Sequence, residues 1–191
     1  MTDEKLLIKQ AAKGNEGAFE ELVRRYQSLV YRLCLSKLPT REDALDVSQE
    51  VLIKMWRSLV SFRFDSALST WLYTVTQNAI ADRLRSVGKY KDDISLDTGD
   101  GDDDTPPDPP DENENTRPEA ALERRERIRR VREAICKLSP EHREVILLRD
   151  IEGYSYSDIA AMTGLEEGTV KSRLNRARSA LKDILRNWNF T

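Results

Sequence analysis

Apolar residues recur three and four positions apart through most of residues 1–92, and this spacing places them on one face of a helix. The series predicts three helices, separated by Leu38-Pro39, where proline stops a helix, and by a loop over residues 61–66. Thr40, with Asp43 three positions later, resembles a capping box that opens the second helix. The three apolar faces are Leu22, Val23, Tyr26, Leu29, Val30 and Leu33; Ala44, Val47, Val51, Leu52, Met55 and Leu59; and Trp71, Leu72, Val75, Ala79, Ile80 and Leu84.

Residues 119–191 repeat the helical spacing. A charged, arginine-rich helix is predicted over residues 119–137 and a shorter one over residues 141–150. Ser139-Pro140-Glu141 is a helix start, with an N-cap serine, proline at the first helical position and an acid at the positive end of the helix dipole. Gly153 ends this helix. No segment of residues 1–92 alternates with a period of two, so the predicted fold class is all-α.

Residues 155–178 have the spacing of a helix-turn-helix. Ser155 and Asp158 form a capping box for a short helix that ends at Gly164, where glycine permits a left-handed turn. Small Ala160 allows close crossing of a second helix, predicted over residues 167–185, and such second helices enter the major groove. The exposed face of that helix is predicted to be Lys171, Ser172, Asn175, Arg176 and Arg178. The alternative is an ordinary helix hairpin with a solvated basic face.

Charge is divided unevenly along the 191 residues. The net charge is −3, yet residues 1–92 carry 15 basic and 12 acidic residues, residues 93–118 carry 1 and 10, and residues 119–191 carry 15 and 12. Residues 93–118 also contain almost no apolar side chain, which predicts a disordered, flexible acidic linker. The predicted architecture is therefore two small helical domains, 1–92 and 119–191, joined by this linker. Because nucleic-acid binding depends on local patches, the acidic total does not exclude it.

Few other residue types point to chemistry. Cys34 and Cys136 fall on apolar helix faces and are predicted to be buried thiols. His142, the only histidine, is predicted to lie at the surface, and its spacing from the cysteines predicts no metal site. No cofactor is expected. The first ten residues lack the apolar stretch of a signal peptide and no run is long enough for a membrane helix, so we expect a cytoplasmic protein with no membrane insertion of its own.

Two sets of motifs resemble one family. Residues 138–149, 152–156, 158–160 and 168–178 resemble region 4 of the extracytoplasmic-function RNA polymerase sigma factors. Independently, residues 46–52 resemble region 2.2, and residues 69–73, Asn78 and residues 82–85 resemble regions 2.3 and 2.4. Regions 1.1 and 3 of the larger housekeeping factors have no counterpart, which is typical of this class.

The resemblance implies a subunit, not an enzyme, that binds core RNA polymerase through its beta-prime and beta subunits and directs it to promoter DNA. The implied polymerase-binding residues are Asp43, Asp46, Gln49, Glu50 and Lys54. The implied minus-ten residues are Phe62, Arg63, Phe64, Trp71, Tyr73, Asn78, Arg83 and Arg85. The implied minus-thirty-five residues are Thr169, Lys171, Ser172, Asn175, Arg176 and Arg178. An anti-sigma factor is a further implied partner.

Three alternatives stay open at this point. The polar face of the second helix is also typical of an ordinary solvated helix. Phe62 and Trp71 are also typical core residues, because aromatic side chains near a helix start pack more often than they stack on bases. A stand-alone helix-turn-helix regulator is the alternative function. It requires a dimerisation or ligand-binding domain, and residues 1–92 show neither a long heptad seam nor a ligand-pocket signature.

Overall fold

The computed structural model describes residues 4–91 and 118–188, with side chains over 4–86 and 126–187. Within these ranges the regular structure is entirely helical, as the sequence predicts. The α-helices are α1 (Glu4–Ala11), α2 (Glu16–Leu35), α3 (Arg41–Ser58), α4 (Leu68–Lys91), α5 (Pro118–Cys136), α6 (Pro140–Ile146), α7 (Tyr156–Thr163) and α8 (Glu167–Trp188). The predicted linker, residues 93–118, lies outside the described residues except for Pro118, which begins α5.

Helices α1 to α4 form the N-terminal domain, in which α2, α3 and α4 pack against one another. The side chain of Asn15 caps α2 and that of Thr40 caps α3, since each accepts a hydrogen bond from a backbone N–H of the first turn. Most positions of the predicted apolar faces are buried, whereas Val23, Leu52, Trp71 and Ala79 are half-buried and Leu84 is 42% exposed. Because the apolar side of α3 is buried against α2 and α4, its polar face points outward.

Helices α5 to α8 form the C-terminal domain. Ser139 caps α6 and Pro140 opens it, as predicted. The predicted helix over residues 141–150 is divided, because α6 ends at Ile146 and a π-helical segment, Leu147–Ile151, follows. There the N–H of Glu152 donates to the carbonyl of Leu147 at 2.9 Å, five residues back. The wider turn leads into Gly153, whose φ of 78° reverses the chain towards α7.

The two domains share one apolar core. Helix α7 packs on α4. Leu147, Leu148, Ile159 and Met162 of the C-terminal domain belong to the same buried cluster as the core of the N-terminal domain. A second cluster, centred on Leu138, Val145, Ile146, Leu174 and Ala177, holds α5, α6 and α8 together. The sequence predicts two domains but gives no sign that they pack on each other.

The two cysteines, Cys34 and Cys136, differ in solvent exposure. Cys34 is buried, as predicted, and burial raises the pKa of its thiol to about 12. Cys136 is exposed, so the prediction of a buried thiol is wrong there. Cys136 is the last residue of α5, and the buried residues around it are Ala134 within the helix and Leu138 two positions after the helix ends. Cys136 lies about half a helical turn from Ala134, so its side chain points away from the core. Across the described ranges, no helix combines the length and apolarity needed to cross a membrane.

Candidate nucleic-acid and polymerase interfaces

Helices α7 and α8 form the helix-turn-helix. Ser155 and Asp158 make the predicted capping box in full, since each side chain accepts from the other residue's backbone N–H. Gly164 ends α7 with φ 71° and ψ 16°, and its N–H donates to the carbonyl of Ala160 at 2.9 Å. Ile159 and Val170 are fully buried between the two helices. The turn at Gly164 and these buried contacts therefore fix the angle between α7 and α8.

The outer face of α8 carries a row of polar and basic side chains. Lys171, Ser172, Asn175 and Arg176 are all exposed, while Val170 and Leu174 on the opposite face are buried. The Nε atom of Arg176 donates to the Ser172 carbonyl at 3.4 Å, so the guanidinium is only weakly held. Arginine can pair with guanine and asparagine with adenine in the major groove, so this row has the chemistry of a base-reading surface.

Arg178 and Thr169, which the resemblance also implies for the minus-thirty-five element, are less available for contacts with DNA. Arg178 is exposed, but its guanidinium binds the Asp150 carboxylate, with Nε at 3.0 Å from Oδ2. The hydrogen bond to Asp150 raises the pKa of Arg178. Thr169 is half-buried, and its carbonyl accepts from the Ser172 hydroxyl at 3.0 Å. Arg178 thus ties α8 to the π-helical segment.

Helix α3 turns a mixed-charge face to solvent. Asp46, Gln49, Glu50 and Lys54 are exposed, whereas Val47, Val51 and Met55 point inward. Ser48 is 6% exposed, and its hydroxyl donates to the Leu45 carbonyl at 2.8 Å. The polar residues implied for polymerase binding therefore lie together on one accessible side of the helix.

Asp43 stands at the edge of this face and is bonded to α4. The Nε atom of Arg83 donates to Asp43 at 2.7 Å, and Asp46 lies 3.9 Å from the same guanidinium. Burial opposes ionisation of Asp43, but the hydrogen bonds from Thr40 and Arg83 outweigh it and lower the pKa of the carboxyl. Arg83 thus links the face of α3 that is implied to bind polymerase to α4, the helix that is implied to bind DNA.

The loop between α3 and α4 encloses a depression of about 280 Å³, lined mostly by the loop itself and by Trp71. Phe62 packs edge-on against Phe64, with ring centroids 5.1 Å apart, and faces Trp71 at 6.3 Å. Phe64 adopts φ 60°, an uncommon value for a bulky residue. Phe62 and Trp71 are half-buried, while Arg63 and Phe64 are exposed. The aromatic rings both support the loop and line its opening.

Three further residues implied for the minus-ten element lie along α4. Asn78 and Arg85 are exposed, and Arg85 pairs with Asp82 one turn back. Tyr73 is only 7% exposed, and its hydroxyl donates to Glu144 of the C-terminal domain at 2.9 Å. Burial and the neighbouring Glu144 carboxylate raise the pKa of Tyr73. In this arrangement Tyr73 lies beneath the C-terminal domain.

Sequence reasoning missed the residues that join the two domains. Glu144 is 8% exposed and takes hydrogen bonds from Lys37, Tyr73 and Gln77. Arg143, the next residue, donates to the Ser36 carbonyl at 2.5 Å. In the sequence, Glu144 is a charged residue on a short helix, which is typical of a solvent-exposed position. Its spacing therefore gives no sign that residues of the N-terminal domain bind it.

Comparison with known proteins accounts for both domains. The family model described as "Sigma-70 region 2" matches residues 22–90, and "Sigma-70, region 4" matches residues 128–181. The ECF RNA polymerase sigma factor SigM of Mycobacterium tuberculosis is 34% identical over 96% of this chain and 85% of its own length. The ECF RNA polymerase sigma-E factor of Escherichia coli K12 is 36% identical over 95% of this chain and 93% of its own length.

Among solved structures, CnrH in complex with the cytosolic domain of CnrY is similar, with a TM-score of 0.64 and 28% identity. The match covers 97% of this chain and 99% of CnrH. Two sigma-70 regions in this order define a sigma factor of the sigma-70 type. The chain belongs to the extracytoplasmic-function (ECF) sigma factors, as the motifs in its sequence predict. The N-terminal domain is hereafter region 2 and the C-terminal domain region 4.

Proposed function

We propose that this chain binds core RNA polymerase in the bacterial cytoplasm and directs it to promoters by reading a minus-thirty-five and a minus-ten element. It has no catalytic role of its own and contributes recognition only. The observation that carries the proposal is the pairing of an exposed base-reading row on α8 with an exposed mixed-charge face on α3, in two domains that match the sigma-70 regions.

Polymerase binding is assigned to the α3 face. Asp46, Gln49, Glu50 and Lys54 project from one side of a helix whose other side is fixed in the core. A rigid charged face of this kind favours a complementary charged helix of the beta-prime subunit. Asp43 contributes from the edge of the face, where Arg83 holds it. Region 4 provides the second attachment, to the beta subunit.

Minus-ten recognition is assigned to the loop between α3 and α4 and to α4 itself. Proteins that capture a base from single-stranded DNA use aromatic stacking surfaces and cationic contacts to the backbone. The depression beside Trp71 offers both, since Phe62 and Phe64 line it and Arg63 stands at its rim. The unusual backbone of Phe64 supports this assignment because strained residues cluster at functional sites. Asn78 and Arg85 extend the surface along α4.

Minus-thirty-five recognition is assigned to α8. Lys171, Ser172, Asn175 and Arg176 present hydrogen-bonding groups on the side that faces away from the region 4 core. Second helices of this motif lie in the major groove with such residues against base edges. Thr169 and Arg178 stand at the margins, where contacts to phosphates position the helix without reading sequence.

The chain between the domains is long enough for both elements to be bound at once. The elements are named for positions about 25 base pairs apart, or about 85 Å along B-DNA at 3.4 Å per pair. Residues 92–117 contribute at most about 90 Å when fully extended. Two domains tethered on one polymerase then act together, because the first contact raises the effective concentration of the second.

An anti-sigma factor is a further proposed partner. The solved relatives CnrH and the Bartonella quintana RpoE were each determined with another protein, the cytosolic domain of CnrY and the anti-sigma factor NepR respectively. This chain shares 28% and 26% identity with them. We expect a comparable partner to bind this chain and to hold it inactive until the partner is released.

In vitro transcription tests the proposal. Purified core polymerase is given a promoter library with and without the chain, and the RNA products are sequenced. We expect start sites that appear only when the chain is added and that share two upstream elements. A stand-alone helix-turn-helix regulator gives a different result: it binds duplex DNA without core polymerase and creates no new start sites with it. That outcome would overturn the proposal.

A further inference from the structure

The π-helical segment Leu147–Ile151 contacts both helices of the helix-turn-helix through two adjacent side chains. The guanidinium carbon of Arg149 lies 4.9 Å from the centre of the Tyr156 ring, at the start of α7. Asp150, the next residue, binds the Arg178 guanidinium on α8. A π-helical turn is rare in proteins and frequently marks a functional site. This segment links the body of region 4 to the helix proposed to read DNA.

The bond between Asp150 and Arg178 is bidentate. The Nε atom of Arg178 donates to Oδ2 of Asp150 at 3.0 Å, and its Nη2 atom donates to Oδ1. Two parallel bonds of this kind fix the orientation of a guanidinium as well as its position. The pair lies at the surface, since 32% of the Asp150 side chain and 47% of the Arg178 side chain are exposed. Arg178 is therefore restrained at a place that DNA bound to α8 can reach.

The restraint sets Arg178 apart from the other exposed cations of α8. Those side chains make no ion pair within the described residues, and they are Lys171, Arg176, Lys182 and Arg186. Arg178 is exposed too, but a carboxylate from another element balances its charge. The sequence-independent attraction of a protein to DNA grows with the number of phosphates that its cations neutralise. Asp150 therefore takes one cation away from that sum.

We propose that Asp150 is a positioning residue for minus-thirty-five recognition: by holding Arg178, it limits the sequence-independent attraction of region 4 to the DNA backbone. The Nη1 group of Arg178 stays free to meet a phosphate, but its charge is already balanced and the contact is weak. Base contacts by the row on α8 then supply a larger share of the binding free energy, because phosphate contacts carry no sequence information. The inference rests on the proposed function, since it requires α8 to lie on DNA.

Loss of the Asp150 carboxylate is expected to tighten DNA binding. Holoenzyme containing wild type or Asp150→Ala is titrated at several salt concentrations with a short duplex that carries the minus-thirty-five element, and with a scrambled duplex. We expect Asp150→Ala to bind both duplexes more tightly, with a slope of log affinity against log salt that is steeper by about one unit. The gain then grows about fourfold as salt falls from about 200 to about 50 mM. Preference for the element is expected to stay unchanged.

Three variants control for charge and fold. Asp150→Glu keeps the carboxylate and is expected to bind like wild type, whereas Asp150→Asn removes the charge with little change of volume and should tighten binding as Asp150→Ala does. Glu141→Ala makes the same charge change in region 4 at a side chain that is 70% exposed and lies 3.5 Å from Arg173. It is expected to leave the salt slope unchanged. Circular dichroism and thermal melting show which variants are folded.

The decisive variant is Asp150→Ala combined with Arg178→Ala. We expect it to bind like Arg178→Ala alone, because the gain requires the released guanidinium. A gain that persists without Arg178 would overturn the inference, since Asp150 would then repel DNA directly. So would an equal gain in Glu141→Ala, or unchanged or weaker binding by folded Asp150→Ala. The proposed function fails on a different result, namely equal affinity of the wild-type holoenzyme for the element and for the scrambled duplex.

Discussion

Arg83 on α4 and Asp43 on α3 join the two helices of region 2 that carry its proposed interfaces. The Arg83 guanidinium on α4 donates to the Asp43 carboxylate on α3 at 2.7 Å, and the bond lowers the pKa of Asp43. Asp43 also accepts from the hydroxyl of Thr40, the residue that caps α3. The start of the helix proposed to bind polymerase is thus tied to the middle of the helix proposed to bind the minus-ten element. A phosphate contact by Arg83 would compete with this bond.

The Arg83–Asp43 bond is expected to make the free energy of unfolding depend on pH. The pKa of Asp43 in the folded chain is lower than its ordinary unfolded value of about 3.9. Its contribution to the free energy of unfolding is therefore complete above that value and is lost as the pH falls through the lower folded pKa. We expect urea unfolding to show a constant difference between wild type and Asp43→Asn above about pH 5, and a shrinking difference below pH 4. A difference that stays constant to pH 2.5 would show that the bond is not formed in solution.

The α3 face gives the second prediction. Asp46→Arg with Glu50→Arg is expected to abolish binding to core polymerase and to leave the fold intact, because both side chains are exposed. Exposed substitutions of this kind usually change stability by about 0.5 kcal/mol or less. The measurement is a polymerase pull-down beside a thermal melt. Glu20→Arg with Glu133→Arg makes the same charge change at exposed positions elsewhere and should bind normally. Normal binding by the Asp46 and Glu50 variant would remove this face from the polymerase contact.

Trp71 gives the third prediction. The ring is half-buried against Phe62, so Trp71→Ala is expected to destabilise region 2 by less than the roughly 3–5 kcal/mol of a fully buried tryptophan. We expect a larger defect in promoter opening, measured by permanganate reactivity of unpaired thymines below the melting temperature. Leu72→Ala is the control, since Leu72 is fully buried beside it. It should lower stability by about 2–5 kcal/mol without a specific opening defect. Equal effects of the two variants on both measurements would make Trp71 a core residue only.

Local rules predict the helix starts and the turn correctly because each depends on residues within one turn of helix. Thr40, Ser139 and Ser155 all cap the helices assigned to them, and Gly164 takes the left-handed conformation. The docking of region 4 could not be predicted in this way, since Tyr73 and Glu144 are 71 positions apart and each is typical of its own helix. The same holds for Arg83, whose pairing with Asp43 forty positions earlier depends on how α3 and α4 pack.

Gly164 gives the fourth prediction. Its φ of 71° is unfavourable for any residue with a Cβ, although no atom within 4 Å would meet that Cβ. Gly164→Ala is therefore expected to lower the stability of region 4 by about 1–2 kcal/mol through backbone strain alone. Gly168 is the matched control: it is the second residue of α8, where the backbone is helical and no neighbour lies within 4 Å of an added Cβ. Gly168→Ala should stabilise by about 0.4–1 kcal/mol. Thermal unfolding of both variants measures the pair. A neutral Gly164→Ala would mean that the turn relaxes in solution.

Arg176 gives the last prediction. It lies on the exposed side of α8, one turn after Ser172, with its guanidinium held only by a 3.4 Å bond to a backbone carbonyl. In the major groove this side faces base edges, where arginine can make a bidentate contact to guanine worth about 1–3 kcal/mol of discrimination. Arg176→Ala is therefore expected to lose preference at one base pair and to keep it at the others. The measurement is transcription by the holoenzyme from a library in which the minus-thirty-five element is randomised.

Arg178→Ala is the internal comparison, because Arg178 is already bound to Asp150 and lies at the margin of the face. A residue that contacts only phosphate weakens binding evenly on every sequence and lowers the slope of affinity against salt by about one unit. We expect this even loss, or no loss, for Arg178→Ala. If Arg176→Ala also weakens all library members equally, Arg176 positions the helix without reading a base. Base reading would then be assigned to Lys171, Ser172 and Asn175, whose side chains share the exposed face.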